Sequence, residues 1–121
     1  NTVVQTEKVN TMFVFPKATA SSMNWRNNVF YVGDGSSVWW DEAPFLRSNN
    51  VYFTTAGSRL GLSPGSGDIV ADPQFVDRAR HDYRLRASSP AVNAGQRIDG
   101  YARDFLGRVL SGAPDIGAYE R

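Results

Sequence analysis

The sequence contains no cysteine, so disulfide bonds and thiolate metal sites are excluded. It has one histidine, His81, beside Asp82; this pairing is more typical of a surface residue than of a catalytic base. With scattered carboxylates as the only other ligands, we expect no metal site. Thirteen Lys plus Arg balance twelve Asp plus Glu, which argues against a nucleic-acid partner. No apolar run approaches the length of a membrane span.

What the chain does contain is a repeat. Residues 25–31 read Trp-Arg-Asn-Asn-Val-Phe-Tyr and residues 47–53 read Arg-Ser-Asn-Asn-Val-Tyr-Phe, which places equivalent residues 22 positions apart (50 − 28 = 22). Self-similarity at such a period is typical of solenoids, in which each repeat buries its core against its neighbours.

The residues of the repeat favour β-strands, because Val, Tyr and Phe occur in short runs bounded by Asn, Ser and Gly. In register, Val29 falls beside Val51 and Asn28 beside Asn50, so stacked amides can form a hydrogen-bonded ladder. An Asn before each strand also tolerates a left-handed bend. We predict an all-β, right-handed parallel β-helix with one coil per repeat. The alternative is two unrelated strands of a β-sandwich.

With 121 residues, 41% of them hydrophobic, the chain is sufficient for one modest domain. Its two halves differ in composition. We expect residues 1–56 to form β-helix coils, and residues 57–121, which are rich in turns, to form the final coil and a C-terminal cap. The loop of residues 61–68, with Pro64 and several glycines, is expected to end the regular coiling.

Five motifs in the second half carry a resemblance to known proteins. In order they are residues 71–77 (ADPQFVD), 82–85 (DYRL), 89–95 (SPAVNAG), 104–108 (DFLGR) and 115–120 (DIGAYE). Their order and spacing resemble the C-terminal end of bacterial right-handed parallel β-helix proteins, a group that includes polysaccharide lyases and glycoside hydrolases. The resemblance covers about residues 24–121. It implies fold more than activity, since a cap is shared across different chemistries.

A cap would close the open apolar end of the last coil. The side chains expected to do so are Phe75, Tyr83, Leu85, Val92, Ile116 and Tyr119. The turn carboxylates of Asp72, Asp82, Asp104 and Asp115 are expected to accept hydrogen bonds from backbone amides and not to act in catalysis. No residue before Asn1 caps the first coil, so we expect this chain to be a C-terminal piece that associates with the N-terminal part of the same protein.

Two features are candidates for substrate binding. Trp39 and Trp40, in the run Trp-Trp-Asp-Glu, offer paired indoles for a sugar ring, with packing as the alternative. Arg26 and Arg47 are expected to stack in the repeat register, where they could bind uronate carboxylates or instead pair with Asp41 and Glu42.

The resemblance implies an exported protein, secreted, periplasmic or on a bacterial cell surface, that degrades acidic polysaccharide as a lyase or hydrolase. A lyase of this group abstracts a proton beside a uronate carboxyl, using a base and a neutralising Lys, Arg or Ca²⁺ on central coils. We therefore expect the catalytic groups, and any Ca²⁺, to lie outside this mainly structural segment. The alternative is a non-catalytic surface or adhesion β-helix that binds glycans.

Overall fold

The computed structural model describes residues 1–6, 11–14, 24–33, 37–40, 46–55 and 57–121, and of residues 11–14 and 37–40 it describes only the backbone. The described residues are all-β, with one short 3-10 turn at Arg78–Arg80 and no α-helix among them. The strands are β1 (Thr2–Gln5), β2 (Thr11–Val14), β3 (Asn24–Arg26), β4 (Val29–Val32), β5 (Ser37–Trp40), β6 (Leu46–Ser48), β7 (Val51–Thr54), β8 (Ile69–Val70), β9 (Phe75–Asp77) and β10 (Asp82–Leu85). None of the helical turns described is long and apolar enough to cross a membrane.

Parallel pairing relates successive repeats. One four-stranded sheet has the order β1-β4-β7-β8, and the pairs β2–β5 and β3–β6 are also parallel. Val29 lies beside Val51, as the sequence predicted, and the two strands are not antiparallel. Only β9 and β10 form an antiparallel pair among the named strands.

The repeat occurs four times and not twice. The register places Asn1, Asn28, Asn50 and Asp68 each directly before a strand of the four-stranded sheet, at spacings of 27, 22 and 18 residues (28 − 1, 50 − 28 and 68 − 50). The single period of 22 is therefore one value in a decreasing series. The strands keep their register because the connecting segments, and not the strands, absorb the difference in length.

A left-handed residue precedes three of these positions. Asn27, Asn49 and Gly67 have φ of 57°, 52° and 71°, a conformation that Asn and Gly adopt at least cost. A Cβ on Gly67 would lie 2.8 Å from Asn49 Nδ2, so glycine also permits the close approach of the two turns. The bend predicted at the Asn pairs is confirmed.

The side-chain amides before the strands form the predicted ladder, and every amide donates in the same direction along it. Asn1 Nδ2 donates to Asn28 Oδ1 (3.1 Å), Asn28 Nδ2 donates to Asn50 Oδ1 (2.9 Å), and Asn50 Nδ2 donates to Asp68 Oδ1 (3.0 Å). Asp68 also accepts from the backbone N–H groups of Asn50 and Gly65 (2.8 and 2.6 Å). A carboxylate donates nothing, so the ladder ends at Asp68.

Both faces of the four-stranded sheet are apolar. In β4, Val29 and Tyr31 face one side and Phe30 and Val32 the other, because side chains alternate along a strand. Phe30 stacks on Tyr52 of β7, with ring centroids 5.3 Å apart. Three of these four β4 side chains are at most 1% exposed, so each face requires its own cover.

The turn-rich half of the chain supplies one cover. Phe75, Leu85, Ala91 and Ile116 pack with Val29 and Val51 in one buried cluster, and the partly buried side chains packed against it come from β1, β4 and β8 as well as from the cover: Val4, Tyr31, Ile69, Tyr83, Val92 and Ala94. This segment thus spreads across one face of all four strands. The expected role as a cap on the last coil stays a prediction, and Tyr119 packs edge-on to Phe105, outside that cluster.

The four turn carboxylates have the structural role predicted for them. Asp72, Asp82, Asp104 and Asp115 each accept a backbone N–H, from Gln74, Arg84, Arg108 and Asn93 respectively, at 2.7 to 3.3 Å. Arg84 also binds the Asp82 carboxylate with its guanidinium, which lowers the pKa of that carboxyl. His81 is exposed and ends the 3-10 turn with φ of 59°.

Candidate functional site

A cleft of about 760 Å³ separates β3 from the C-terminal part of the cover. Its lining includes Asn28, Gly117 and Asn1, the residue directly before β1. The cleft combines aromatic rings, guanidinium groups and amides, which are the groups that bind sugars and also those that pack against a further strand.

One wall is β3, a three-residue strand that pairs with β6 on one side. Arg26, half-buried, donates from Nε to Asn24 Oδ1 (3.1 Å). Beyond the strand, Asn27 binds Gln96 through both ends of its side-chain amide, at 2.6 and 2.8 Å. This pair fixes the distance between the repeat turns and the cover.

The opposite wall is a tight turn, residues 103–109, closed by a bridge between Arg103 and Val109. Asp104 holds it, because its carboxylate accepts from the backbone N–H groups of Arg108 and Glu120 (2.7 and 2.9 Å). The N–H of Phe105 donates to Ala118 O, and the N–H of Ala118 donates to Thr2 Oγ1, so the turn lies next to β1. Phe105 in this turn and Tyr101, two residues before it, are 77% and 71% exposed.

The two arginines proposed as substrate ligands do not stack on each other. Arg26 pairs with Ser48, and Arg47 pairs with Trp25, so the sequence-based pairing of Arg26 with Arg47 is wrong by one residue. Trp25 stacks on Phe30 (5.7 Å), and Arg47, on the same side as Trp25, donates to Ser63 O (3.1 Å). Of these two arginines, Arg26 lines the cleft and Arg47 is not among its lining residues.

Trp39 and Trp40 lie on β5, paired with Phe13 and Val14 of β2. Their side chains lie outside the described residues, as do Asp41 and Glu42. Their assignment to sugar contact stays a prediction.

Glu120 is the carboxyl of the cleft whose pKa is displaced. Burial raises its pKa, and the negative charges of Asp115 and Asp104 add to that effect, while a hydrogen bond from the Asp115 N–H (2.8 Å) opposes it. No group of three or more potential metal ligands occurs within the described ranges.

This raised pKa gives a test by pH. A carboxyl whose pKa is higher in the folded state contributes stability below its unfolded pKa, about 4.3, and that contribution is lost as pH rises through the folded pKa. We expect Glu120→Gln to be neutral at low pH and to raise the melting temperature near neutral pH. Arg121→Gln is the surface control, because Arg121 is exposed and follows Glu120 in the chain. If Glu120→Gln changed the melting temperature equally at low and at neutral pH, the argument would be contradicted.

A protein-family model described as "Disaggregatase related" matches residues 23–103, about two thirds of the chain. The chain belongs to this family. The disaggregatase-related family is associated with β-helix-type domains, and the match carries no evidence for lyase or hydrolase chemistry. Neither the curated proteins nor the solved structures include a significant match.

The disaggregatase-related match ends at residue 103, the first residue of the turn that forms one wall of the cleft. Sequence reasoning missed Tyr101 and Phe105, because an aromatic in a turn-rich segment gives no periodic signal. It singled out Arg26, although the expected pairing of Arg26 with Arg47 is not the one observed. The cleft therefore unites one residue predicted from the repeat with two that only the fold brings near it.

Proposed function

We propose that this chain is the C-terminal part of a right-handed parallel β-helix in an exported protein, secreted, periplasmic or on the cell surface, that acts on an acidic polysaccharide. In this proposal residues 1–56 are coils, and residues 57–121 complete the last coil and shield one outer face. The catalytic groups, and any Ca²⁺, lie on coils outside residues 1–121.

The observation that carries the β-helix proposal is the parallel register of four successive repeats joined by one directed amide ladder. Successive repeats are also related by parallel pairing in three separate sheets: β1–β4, β2–β5 and β3–β6. A chain that climbs by one strand in each sheet per repeat forms such pairs.

Three features support a glycan as the substrate class. Family membership points to an activity that takes apart an aggregate, and cleaving a matrix polysaccharide is one chemistry that does so. Arg26 offers a guanidinium that can bind a uronate carboxylate. Trp39 and Trp40 lie on β5, which pairs with β2, and paired indoles are groups that can stack on a sugar ring.

The test of enzyme activity is digestion of uronate-containing polysaccharides by the complete protein. A lyase leaves unsaturated uronate end groups, and a hydrolase leaves new reducing ends without them. Neutral polysaccharides serve as matched controls. Cleavage of neutral chains alone would contradict the proposed substrate class.

The tryptophans give a second test. We expect one of Trp39→Ala and Trp40→Ala to lower the free energy of unfolding by about 3 to 5 kcal/mol, because a large buried side chain is lost. The other should change it by less than about 0.5 kcal/mol and weaken binding of anionic oligosaccharides. Thermal melts and calorimetric titrations measure the two effects. If both lower the melt equally and neither alters binding, the sugar platform does not exist.

A non-catalytic glycan-binding β-helix is the second candidate. It is favoured by the engagement of Asp72, Asp82, Asp104 and Asp115 in backbone hydrogen bonds and by the exposed position of His81. Retained glycan binding without cleavage by the complete protein would select it.

A further inference from the structure

The two edges of the four-stranded sheet differ. The β8 edge is only two residues long and leads directly into Asp72 and the buried Pro73, features that prevent strand addition. The β1 edge has four half-buried residues, and no described strand pairs with its outer side. Only β1 offers a full-length template for a further strand.

The backbone at this edge repeats a pattern used inside the sheet. The N–H groups of Val29, Val51 and Ile69 each donate to the carbonyl of the ladder residue in the preceding repeat, at 2.8, 2.8 and 2.7 Å. Thr2 holds the equivalent position in the first repeat. Its N–H is therefore directed at the place where the carbonyl of a preceding ladder residue would lie.

The ladder specifies what that residue must be. Each amide Nδ2 donates toward the β8 end, so a preceding residue would have to donate a side-chain N–H to Asn1 Oδ1. Asparagine meets this requirement and aspartate does not. A second copy of this chain stacked end to end would present Asp68, which has no hydrogen to donate.

Exposed rings lie on the same side. The turn at residues 103–109 is joined to Thr2 through Ala118, and Tyr101 and Phe105 face the cleft beside Asn1. Elsewhere the cover buries Val29 and Val51, which lie on the same face of successive strands. Near β1, by contrast, Tyr101 and Phe105 are 71% and 77% exposed.

We propose that the β1 edge and the rings of Tyr101 and Phe105 together are the docking surface for one more parallel repeat of the same polypeptide, ahead of residue 1. That repeat carries an asparagine at its ladder position and apolar side chains that pack on the two rings. This inference rests on the proposed β-helix and names the partner of its open edge, while the substrate of the protein does not enter it.

The experiment adds such a repeat from the chain itself. A copy of residues 1–27 is fused ahead of Asn1, which places a second asparagine one repeat before Asn1. The matched control carries the Asn1→Asp substitution within the copy, so that its length is unchanged. We measure amide hydrogen exchange, binding of an apolar-surface dye, and melting temperature in both.

We expect the Thr2 amide to exchange at least tenfold more slowly in the asparagine form than in the control. Dye binding should fall, and the melting temperature should be higher by about 4 °C or more. Equal exchange and equal dye binding in the two forms would overturn the proposal. So would concentration-dependent dimerisation of the unextended chain with loss of dye binding, because a second copy would then be the occupant.

Amide exchange within the existing strands separates this inference from the β-helix proposal beneath it. Protected Val29 and Val51 amides with an unprotected Thr2 amide would contradict docking alone. Unprotected Val29 and Val51 amides would contradict the parallel stack itself. In the extended chain, Phe105→Ala should cancel part of the gain in melting temperature. Val70→Ala, at the β8 edge, should leave that gain unchanged.

Discussion

Asn50→Asp is expected to lower the free energy of unfolding by about 3 to 5 kcal/mol, because it leaves a buried charge without compensation. Asn50 is 0% exposed. Its Nδ2 donates to Trp25 O and Asp68 Oδ1, both at 3.0 Å, and its Oδ1 accepts from the N–H and Nδ2 of Asn28. The substitution turns both donated bonds into contacts between oxygen atoms.

Chemical denaturation at several pH values measures this effect. The introduced carboxyl has its pKa raised by burial and by Asp68, so part of the lost stability should return as pH falls and the group is protonated. Asn24→Asp is the matched control, since Asn24 is exposed and its Oδ1 only accepts from Arg26. Similar losses for the two variants would mean that the ladder contributes nothing specific.

Ile116→Ala is expected to lower the free energy of unfolding by about 2 to 5 kcal/mol, the range for removing a buried aliphatic side chain. Ile116 is 0% exposed and packs with Val29 and Val51, although it lies near the end of the chain. Its backbone N–H donates to Ala91 O (2.8 Å), so a backbone hydrogen bond stabilises this part of the cover in addition to the packing of the side chain.

Val109→Ala provides the comparison, because Val109 is 63% exposed in the same segment and should change stability by less than about 0.5 kcal/mol. If residues 73–118 closed only the end of the array, Ile116→Ala would leave amide exchange in β1 and β4 unchanged. We expect faster exchange in both strands, since the side chain shields the face they share.

The strand repeat could be predicted because its letters recur. Val29 and Val51, with the Asn pairs before them, state both the register and the left-handed turn. The fourth repeat was missed because Gly67-Asp68-Ile69 shares no letter with Asn49-Asn50-Val51. What it shares is physical: a residue tolerant of positive φ, then a side-chain acceptor, then a β-branched residue.

The lateral cover could have been inferred from β4. Four successive apolar residues, from Val29 to Val32, indicate a strand buried on both faces, and one interior can bury only one of them. Tyr101 and Phe105 could not have been placed near Arg26 from the sequence. Their proximity depends on the hydrogen bonds of Asp104 and Ala118, which connect residues far apart in the chain.

The terminal carboxylate of Asp68 bears on how such arrays change length during evolution. Duplication of an Asn-bearing repeat at the Asn1 side adds a donor where a donor is needed. Duplication after Asp68 would trap an acceptor-only group between two neighbours and would require a compensating mutation. Gene duplication should thus be tolerated on the Asn1 side of the ladder and not on the Asp68 side. We expect relatives to differ in the number of repeats before the Asn residues and to keep an acidic residue at the end of the ladder.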